Sequence, residues 1–202
     1  MNKVNLAVFG STNGTDLQAI IDEKKAGRLA YIDLKFVMSD KKDSGILKRA
    51  RDADYKTIFL NPKGKKKKEF DEECLRLCQE HKIGLILLIG YMRIITQALI
   101  TPYKNRIINI HPSLLPKYPG MDLDVHKAVL DAHEKQTGAT LHFIDEGVDT
   151  GPIILQAKVP IEPGETPETL KPKVQAKEQE IIIEGLIRFA GGDISDLVYS
   201  KK

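Results

Sequence analysis

"IGLILLIGYM", Ile83 to Met92, is the longest apolar run in the chain. It falls far short of the roughly 20 residues needed to span a bilayer. It does not alternate with polar residues either, so it does not describe a strand with one wet face. A strand buried on both faces reads in this way, and such strands belong in parallel sheets covered by helices.

The same pattern extends outward in both directions. Upstream, "VNLAVF", "YIDLKFVMS" and "KTIFL" are apolar strands. Helical patterns separate them: "TDLQAIIDEKKAG", stopped by Gly27; "SGILKRARDAD", with Ser44 at the N-cap; and "KKEFDEECLRLCQEHK". Thr15-x-x-Gln18 fits a capping box at the first helix. Downstream, a short helical segment leads to the strand "RIINI". Strands joined by helices of this length predict right-handed crossovers and an α/β fold. The second half differs. After the helix "VHKAVLDAH", the strands "ATLHFI" and "PIILQAKVP" flank the turn "DEGVDTG" and predict an antiparallel pair. A final helix starts at Thr166-Pro167 and stops at Gly191-Gly192. With 202 residues and neither repeats nor linkers, one domain over 1–202 is expected.

Bulk composition excludes several classes. A net charge of +3 makes no case for a nucleic-acid coat protein. The N-terminal apolar run "LAVF" is too short for a signal peptide. No nucleic acid, no membrane and a cytoplasmic location are expected. The two cysteines, Cys74 and Cys78, sit at helical spacing and suit inert core thiols. With His81 they spell a metal fragment, but no second half of such a site occurs, and no metal is expected. The run Lys65 to Lys68 reads as the start of a solvated helix face.

Three segments fall at the carboxyl ends of predicted strands, where open parallel sheets bind ligands. In "FGSTNGTDLQ", Gly10 and Gly14 leave room for backbone amides to face an anion at a helix start. The pattern fits a plain strand–turn–helix connection equally well. In "NIHPSLLPKYPG", Asn109 and His111 are two apart on a strand and share a face. An amide beside an imidazole suits oxyanion stabilisation, and Pro112, Pro116 and Pro119 stiffen the chain beyond the strand. A Pro-rich surface loop with a strand-end histidine is the plain alternative. In "DEGVDTGP", Asp149 can either tune the imidazole or only form the turn.

"NIHPSLLPKYPG" together with "GATLHFIDEGVDTGPIILQ" resembles the glycinamide ribonucleotide formyltransferase family of purine synthesis. The resemblance runs from the first strand to the last helix. It implies a Rossmann-like formyltransferase fold, with substrate phosphate bound by the N-terminal half and folate binding and catalysis in the C-terminal half. It implies 10-formyltetrahydrofolate as formyl donor and Asn109, His111 and Asp149 as the catalytic trio. "GYMRII" resembles the folate-binding segment, giving Met92, Arg93 and Ile95, with Glu146, Gly147, Val148 and Asp149 closing the pterin pocket beside Asn109. "NGTDLQ" corresponds to the phosphate loop, giving Gly14, Thr15 and Asp16. "VQAKEQE" gives Gln175 and Glu178 at the ribose and amine, and Pro112 and His142 match positions lining the substrate cleft. Leu115-Pro116 corresponds to a cis bond. The implied partners are small molecules, with a monomer or a homodimer.

Two departures stand out. Asp16 replaces the family's usual Asn and Thr12 its usual Gly, so a carboxylate competes with phosphate for the helix start. The stretch "PGMDLDVHKAV" is about two residues longer than the common form and adds Asp122 and Asp124 to the rim. Relatives acting on amino sugar nucleotides or charged initiator tRNA, formyltetrahydrofolate hydrolases, and a silent folate-binding module are the alternatives. The tRNA enzymes carry an added C-terminal domain and the hydrolases an added N-terminal one, neither expected here.

Overall fold

The computed structural model of the chain describes residues 3–120 and 124–192. The elements run β1 (Val4–Phe9), α1 (Thr15–Lys25), β2 (Ile32–Ser39), α2 (Gly45–Asp52), β3 (Thr57–Phe59), α3 (Lys67–Glu80) and β4 (Leu85–Leu88). They continue with α4 (Gln97–Ile100), β5 (Ile107–His111), α5 (Val125–Asp131), β6 (Gln136–Phe143), β7 (Ile153–Pro160) and α6 (Pro167–Gly191). One seven-stranded sheet has the order β3-β2-β1-β4-β5-β6-β7. The pairs from β3 through β5 are parallel, and β5-β6 and β6-β7 are antiparallel. The expected α/β sheet with an antiparallel pair in the C-terminal half is therefore present.

The long apolar run supplies β4, in the middle of this sheet. Its residues alternate between two cores. Leu85 and Leu87 join Leu6, Val8, Ile108 and Ile110 under α1, α2 and α6. Ile86 and Leu88 join Ala7, Phe9, Phe36 and Ile107 under α3. Each such fully buried side chain contributes about 1.5–3 kcal/mol, so a strand with both faces covered tolerates no polar position.

Cys74 and Cys78 are buried, unpaired members of the second core. His81 does not join them in a metal site: its Nδ1 meets the Leu77 carbonyl at 2.9 Å and its Nε2 meets Lys56 Nζ at 2.6 Å. The lysine run opens α3 as expected, and Lys65 pairs with Glu73 at 2.6 Å.

Two capping expectations change. Gly14, not Thr15, is the N-cap of α1, with φ 63° and no side-chain cap bond. A Cβ at Gly14 would sit 2.4 Å from Ile46 Cγ1, so the close approach of α2 and the left-handed backbone both require glycine. Gln18 bonds Asp22 at 2.9 Å instead of closing a box. Ser44 occupies the N-cap of α2, but its hydroxyl makes no cap bond.

The chain adds β2 and β3 on one side of β1, then crosses to add β4 on the other. That reversal between β1 and β4 opens a crevice at the strands' carboxyl ends. Among the described residues, no helix is long and apolar enough to cross a membrane.

Candidate active site

Strand geometry brings the expected trio together. Asn109 and His111 are alternate residues of β5. The antiparallel register sets His142 of β6 opposite Asn109 and Thr140 opposite His111. Directly opposed side chains share a face, so Asn109 Nδ2 reaches His142 Nε2 at 3.1 Å. Asp149 arrives from the β6–β7 turn at φ 56°, a left-handed conformation that aspartate tolerates better than most residues. Its two oxygens divide between the histidines: Oδ2 lies 3.3 Å from His111 Nδ1 and Oδ1 lies 3.5 Å from His142 Nε2. The Gly120 amide also donates to Oδ2, at 2.8 Å.

The loop after β5 is held by more than its prolines. The Thr140 hydroxyl donates to Ser113 O at 2.6 Å and accepts from Leu115 N at 3.1 Å. Gln156 Nε2 donates to Leu115 O at 2.9 Å, and the Tyr118 hydroxyl donates to Glu134 at 3.0 Å. Leu115-Pro116 is cis, as the resemblance implies. The result is that the Tyr118 carbonyl accepts from His111 Nε2 at 2.7 Å.

This fixes the protonation chemistry. Burial pushes the His111 imidazole below its ordinary value, although Asp149 and the Tyr118 carbonyl pull the other way. The resting ring therefore favours its neutral form near pH 7. Its one N–H is engaged by Tyr118, so the Nδ1 lone pair faces a carboxylate oxygen. Burial alone would raise the Asp149 carboxyl; the adjoining His142 ring, the Gly120 amide bond and the His111 ring hold it below the usual range. One proton between Nδ1 and Oδ2 would convert a lone-pair contact into a charge-assisted hydrogen bond. The pair is a built proton acceptor.

Two cavities lie at this end of the sheet. One is lined by Leu88, Tyr91, Arg93, Ile94, Ile95, Asn109, Ile144, Asp145, Gly147, Val148 and Asp149. Of the expected folate residues, Arg93, Ile95, Asn109, Gly147, Val148 and Asp149 lie here. Met92 and Glu146 do not. The Met92 amide donates to the Ser11 hydroxyl at 3.0 Å, and Glu146 is exposed on the turn. Tyr91, Ile94, Ile144 and Asp145 are additions that the sequence pattern did not single out. The Arg93 guanidinium lies over the Phe70 ring at 4.1 Å, which fixes its stem beside the cleft.

The second cavity, about 450 Å³, lies at the crevice between β1 and β4. It is lined by Thr12, Asn13, Gly14, Thr15, Asp16, Ile89, Gly90, Ile110, Pro112, Asp124, Val125, His126, Lys171, Gln175 and Glu178. Every expected substrate residue lies here except His142, which is fully buried beneath Asn109 with Nδ1 on the Phe143 carbonyl at 2.8 Å. His142 orients the amide instead of lining the cleft. Asp124 caps α5, accepting from Lys127 N at 3.1 Å; Asp122 lies outside the described residues. Lys171 was missed, yet it precedes Gln175 and Glu178 by four and seven residues, the spacing of one helix face. Leu88 and Asn109, paired across β4 and β5, line the first cavity, while the next residues, Ile89 and Ile110, line the second. Each cavity draws residues from both halves of the chain.

The sequence profile of the Formyl transferase family matches residues 4–186. The chain belongs to the formyl transferase family. It is 37% identical over 190 residues to phosphoribosylglycinamide formyltransferase of Escherichia coli (strain K12), covering 94% of this formyl transferase and 88% of that protein. It is 38% identical over 199 residues to the trifunctional purine biosynthetic protein adenosine-3 of Drosophila pseudoobscura pseudoobscura, spanning 98% of this chain but 14% of that longer protein. Among solved structures, glycinamide ribonucleotide transformylase 1 from Symbiobacterium toebii superposes with a TM-score of 0.89 at 39% identity, covering 94% of this chain and 88% of that one. The Geobacillus kaustophilus transformylase 1 gives 0.88 at 38% identity, covering 94% and 100%.

Proposed function

We propose that the protein transfers a formyl group from 10-formyltetrahydrofolate to the amine of phosphoribosylglycinamide, a step of purine synthesis. The observation that carries this reading is the pair of cavities lined by the neighbouring β5 residues Asn109 and Ile110, with the His111–Asp149 proton acceptor at the first of them. The pterin and its linker occupy the cleft lined by Arg93, Ile95 and residues 147–149. The ribonucleotide occupies the crevice, its phosphate at the start of α1, where backbone amides and the helix dipole favour an anion. Gln175 and Glu178 face its ribose and amine.

The chemistry derives from that placement. The free amine attacks the formyl carbon, and negative charge grows on the formyl oxygen. Asn109 gives one amide hydrogen to His142 and keeps the other for that oxygen. The attacking nitrogen loses a proton, which passes through water to the vacancy between His111 Nδ1 and Asp149 Oδ2. The imidazolium so formed adds a positive charge near the oxyanion. Collapse breaks the bond from the formyl carbon to N10, and the stored proton goes to N10 of the departing tetrahydrofolate. The resting enzyme is regenerated, with no electrons exchanged. The substrates are small molecules, and a cytoplasmic monomer or homodimer without nucleic acid or membrane is part of the same reading.

The test is formyl transfer from 10-formyltetrahydrofolate against a panel of amines: phosphoribosylglycinamide, an amino sugar nucleotide and a charged initiator tRNA. Turnover with phosphoribosylglycinamide, exceeding the others by orders of magnitude, is expected. Turnover with one of the other acceptors alone moves the assignment to that acceptor. Folate binding with no transfer to any of them refutes an enzymatic role.

A further inference from the structure

Asp16 is at odds with the phosphate expected beside it. It stands at the second position of α1, where a bound phosphate needs the same amides, and its charge is of the wrong sign. Solvent does not rescue it. Asp16 is only 6% exposed, and its Oδ1 is buried without any hydrogen-bond partner while lining the crevice. Across that crevice lies a second buried carboxyl, Glu178, 9% exposed.

The surroundings offer these two groups little compensation. From α6, Gln179 gives Asp16 a side-chain hydrogen bond, while Lys171 acts on Glu178 through its charge alone. Gln175 is engaged by the Thr15 hydroxyl. From α5, the groups facing the crevice are His126, whose Nδ1 has no partner, and Asp124, which adds negative charge. From α2, Arg49 is engaged by the Asn13 carbonyl at 2.9 Å and does not reach Asp16. A buried carboxyl without a cation in contact keeps its proton, and two such groups in one cavity reinforce each other. Burial, moderated by the Gln179 bond, pushes Asp16 up to about 6. Burial and then the Asp16 charge push Glu178 up to about 8, with Lys171 opposing.

We propose that Asp16 and Glu178 form a proton-holding carboxyl pair that takes up a proton when a phosphate monoester enters the crevice, so that Asp16 meets the phosphate as a carboxylic acid and donates to it. That the occupant is a phosphorylated ribose rests on the function proposed above. A protonated carboxyl presents one O–H donor in the place where an asparagine would present its N–H. The otherwise unpartnered Oδ1 then has a partner, and the unfavourable charge is gone. At pH 7 the empty pair holds one proton, mainly on Glu178; the occupied pair holds two. Binding is therefore linked to pH, and affinity falls as pH rises from 6 to 8.

The probe is ribose 5-phosphate, titrated calorimetrically into the whole protein at pH 7 in two buffers of different ionisation enthalpy. Uptake approaching one proton per ligand is expected, with about tenfold weaker binding at pH 7.5 than at pH 6.5. At pH 9 uptake should approach two protons. Asp16→Asn should remove the uptake at pH 7 and flatten the affinity between pH 6.5 and 7.5. Glu178→Gln should keep the pH 7 uptake and lose the second proton at pH 9. The wild-type measurement stands even if a variant folds poorly. Wild-type binding without proton uptake, undiminished uptake in Asp16→Asn, or no binding of ribose 5-phosphate at any pH overturns the proposal. A protein that binds the probe with proton uptake yet transfers no formyl group keeps this inference and loses the function. One that formylates phosphoribosylglycinamide with a KM flat across this range does the reverse.

Discussion

Asp149→Asn is the sharpest perturbation of the proton acceptor. The change is nearly isosteric and removes one charge 3.3 Å from His111 Nδ1. At an effective dielectric of about 20, that attraction amounts to about 5 kcal/mol once the imidazole is charged. An asparagine oxygen restores part of it as a neutral hydrogen bond, so a net loss of roughly 3–4 kcal/mol in the transition state is expected, or about 10²–10³ in kcat. The pH dependence carries a second signature. His111 already lies below its ordinary value because burial outweighs Asp149, and loss of the carboxylate drives it lower still. Turnover needs the neutral ring as acceptor, so the acid limb of the kcat profile should move to lower pH while the plateau falls. The assay is a steady-state pH–rate profile with saturating 10-formyltetrahydrofolate and phosphoribosylglycinamide, beside a folate-binding titration to show an intact cleft. A variant with the wild-type plateau, or with an acid limb moved to higher pH, would refute the proton-acceptor reasoning.

Three further outcomes are expected. Gly138→Ala should cost roughly 3 kcal/mol and lower the Tm by about 10 °C in a thermal melt, because its Cβ would lie 1.9 Å from the Ala157 carbonyl oxygen across β6 and β7. A thiol reagent at pH 8 should modify neither cysteine in the native protein and both after denaturation, counted by mass; burial pushes the Cys78 thiol up to about 12 and raises Cys74 as well. Glu178→Gln should stabilise the ligand-free protein at pH 9 and not at pH 4. A carboxyl raised from 4.5 to about 8 contributes stability that is present below its unfolded value and lost as pH rises through the folded one, on the order of 5 kcal/mol in full. Equal unfolding curves for wild type and variant at pH 9 would count against a protonated Glu178.

The sheet was legible because burial on both faces leaves a direct mark: β4 is apolar at every position, and an alternating strand would have predicted a different architecture. The Asn109–His111 pair was legible for a related reason, since residues two apart on a strand share a face, whereas Asp149 was assigned to them only by the family resemblance. The structure adds what requires pairing across the chain. Nothing local marks His142 as the orienter of Asn109, because that role depends on the β5–β6 register. Nor does the loop sequence reveal that the Tyr118 carbonyl accepts the His111 N–H, since Thr140, Gln156 and Glu134 hold the loop from distant strands and turns. The capping box at Thr15 failed because Ile46, 31 positions away, leaves space only for a glycine at the true cap.

The same residue type is set to opposite tasks in the two cavities, and the difference lies in the donors supplied. Asp149 and Asp16 both suffer burial. Asp149 accepts from the Gly120 amide and lies 3.3 and 3.5 Å from the nitrogens of two imidazoles, and it stays charged. Asp16 receives one amide side chain and leaves Oδ1 bare, so its pKa rises to about 6. On the donor side a charged carboxylate is required, because a proton released by the amine must find a basic vacancy. On the acceptor side a charged carboxylate would repel the phosphate, so the surroundings withhold the donors that would stabilise it. Under the proposed function, proton traffic divides into two separate parts, one stored with the substrate phosphate on binding and one moved during transfer. Only the second depends on Asp149. The Asp16→Asn and Asp149→Asn changes should therefore act independently, the first on the pH dependence of substrate affinity and the second on kcat. In the double variant the two effects should multiply, and a strong departure from multiplication would mean that one proton serves both sites.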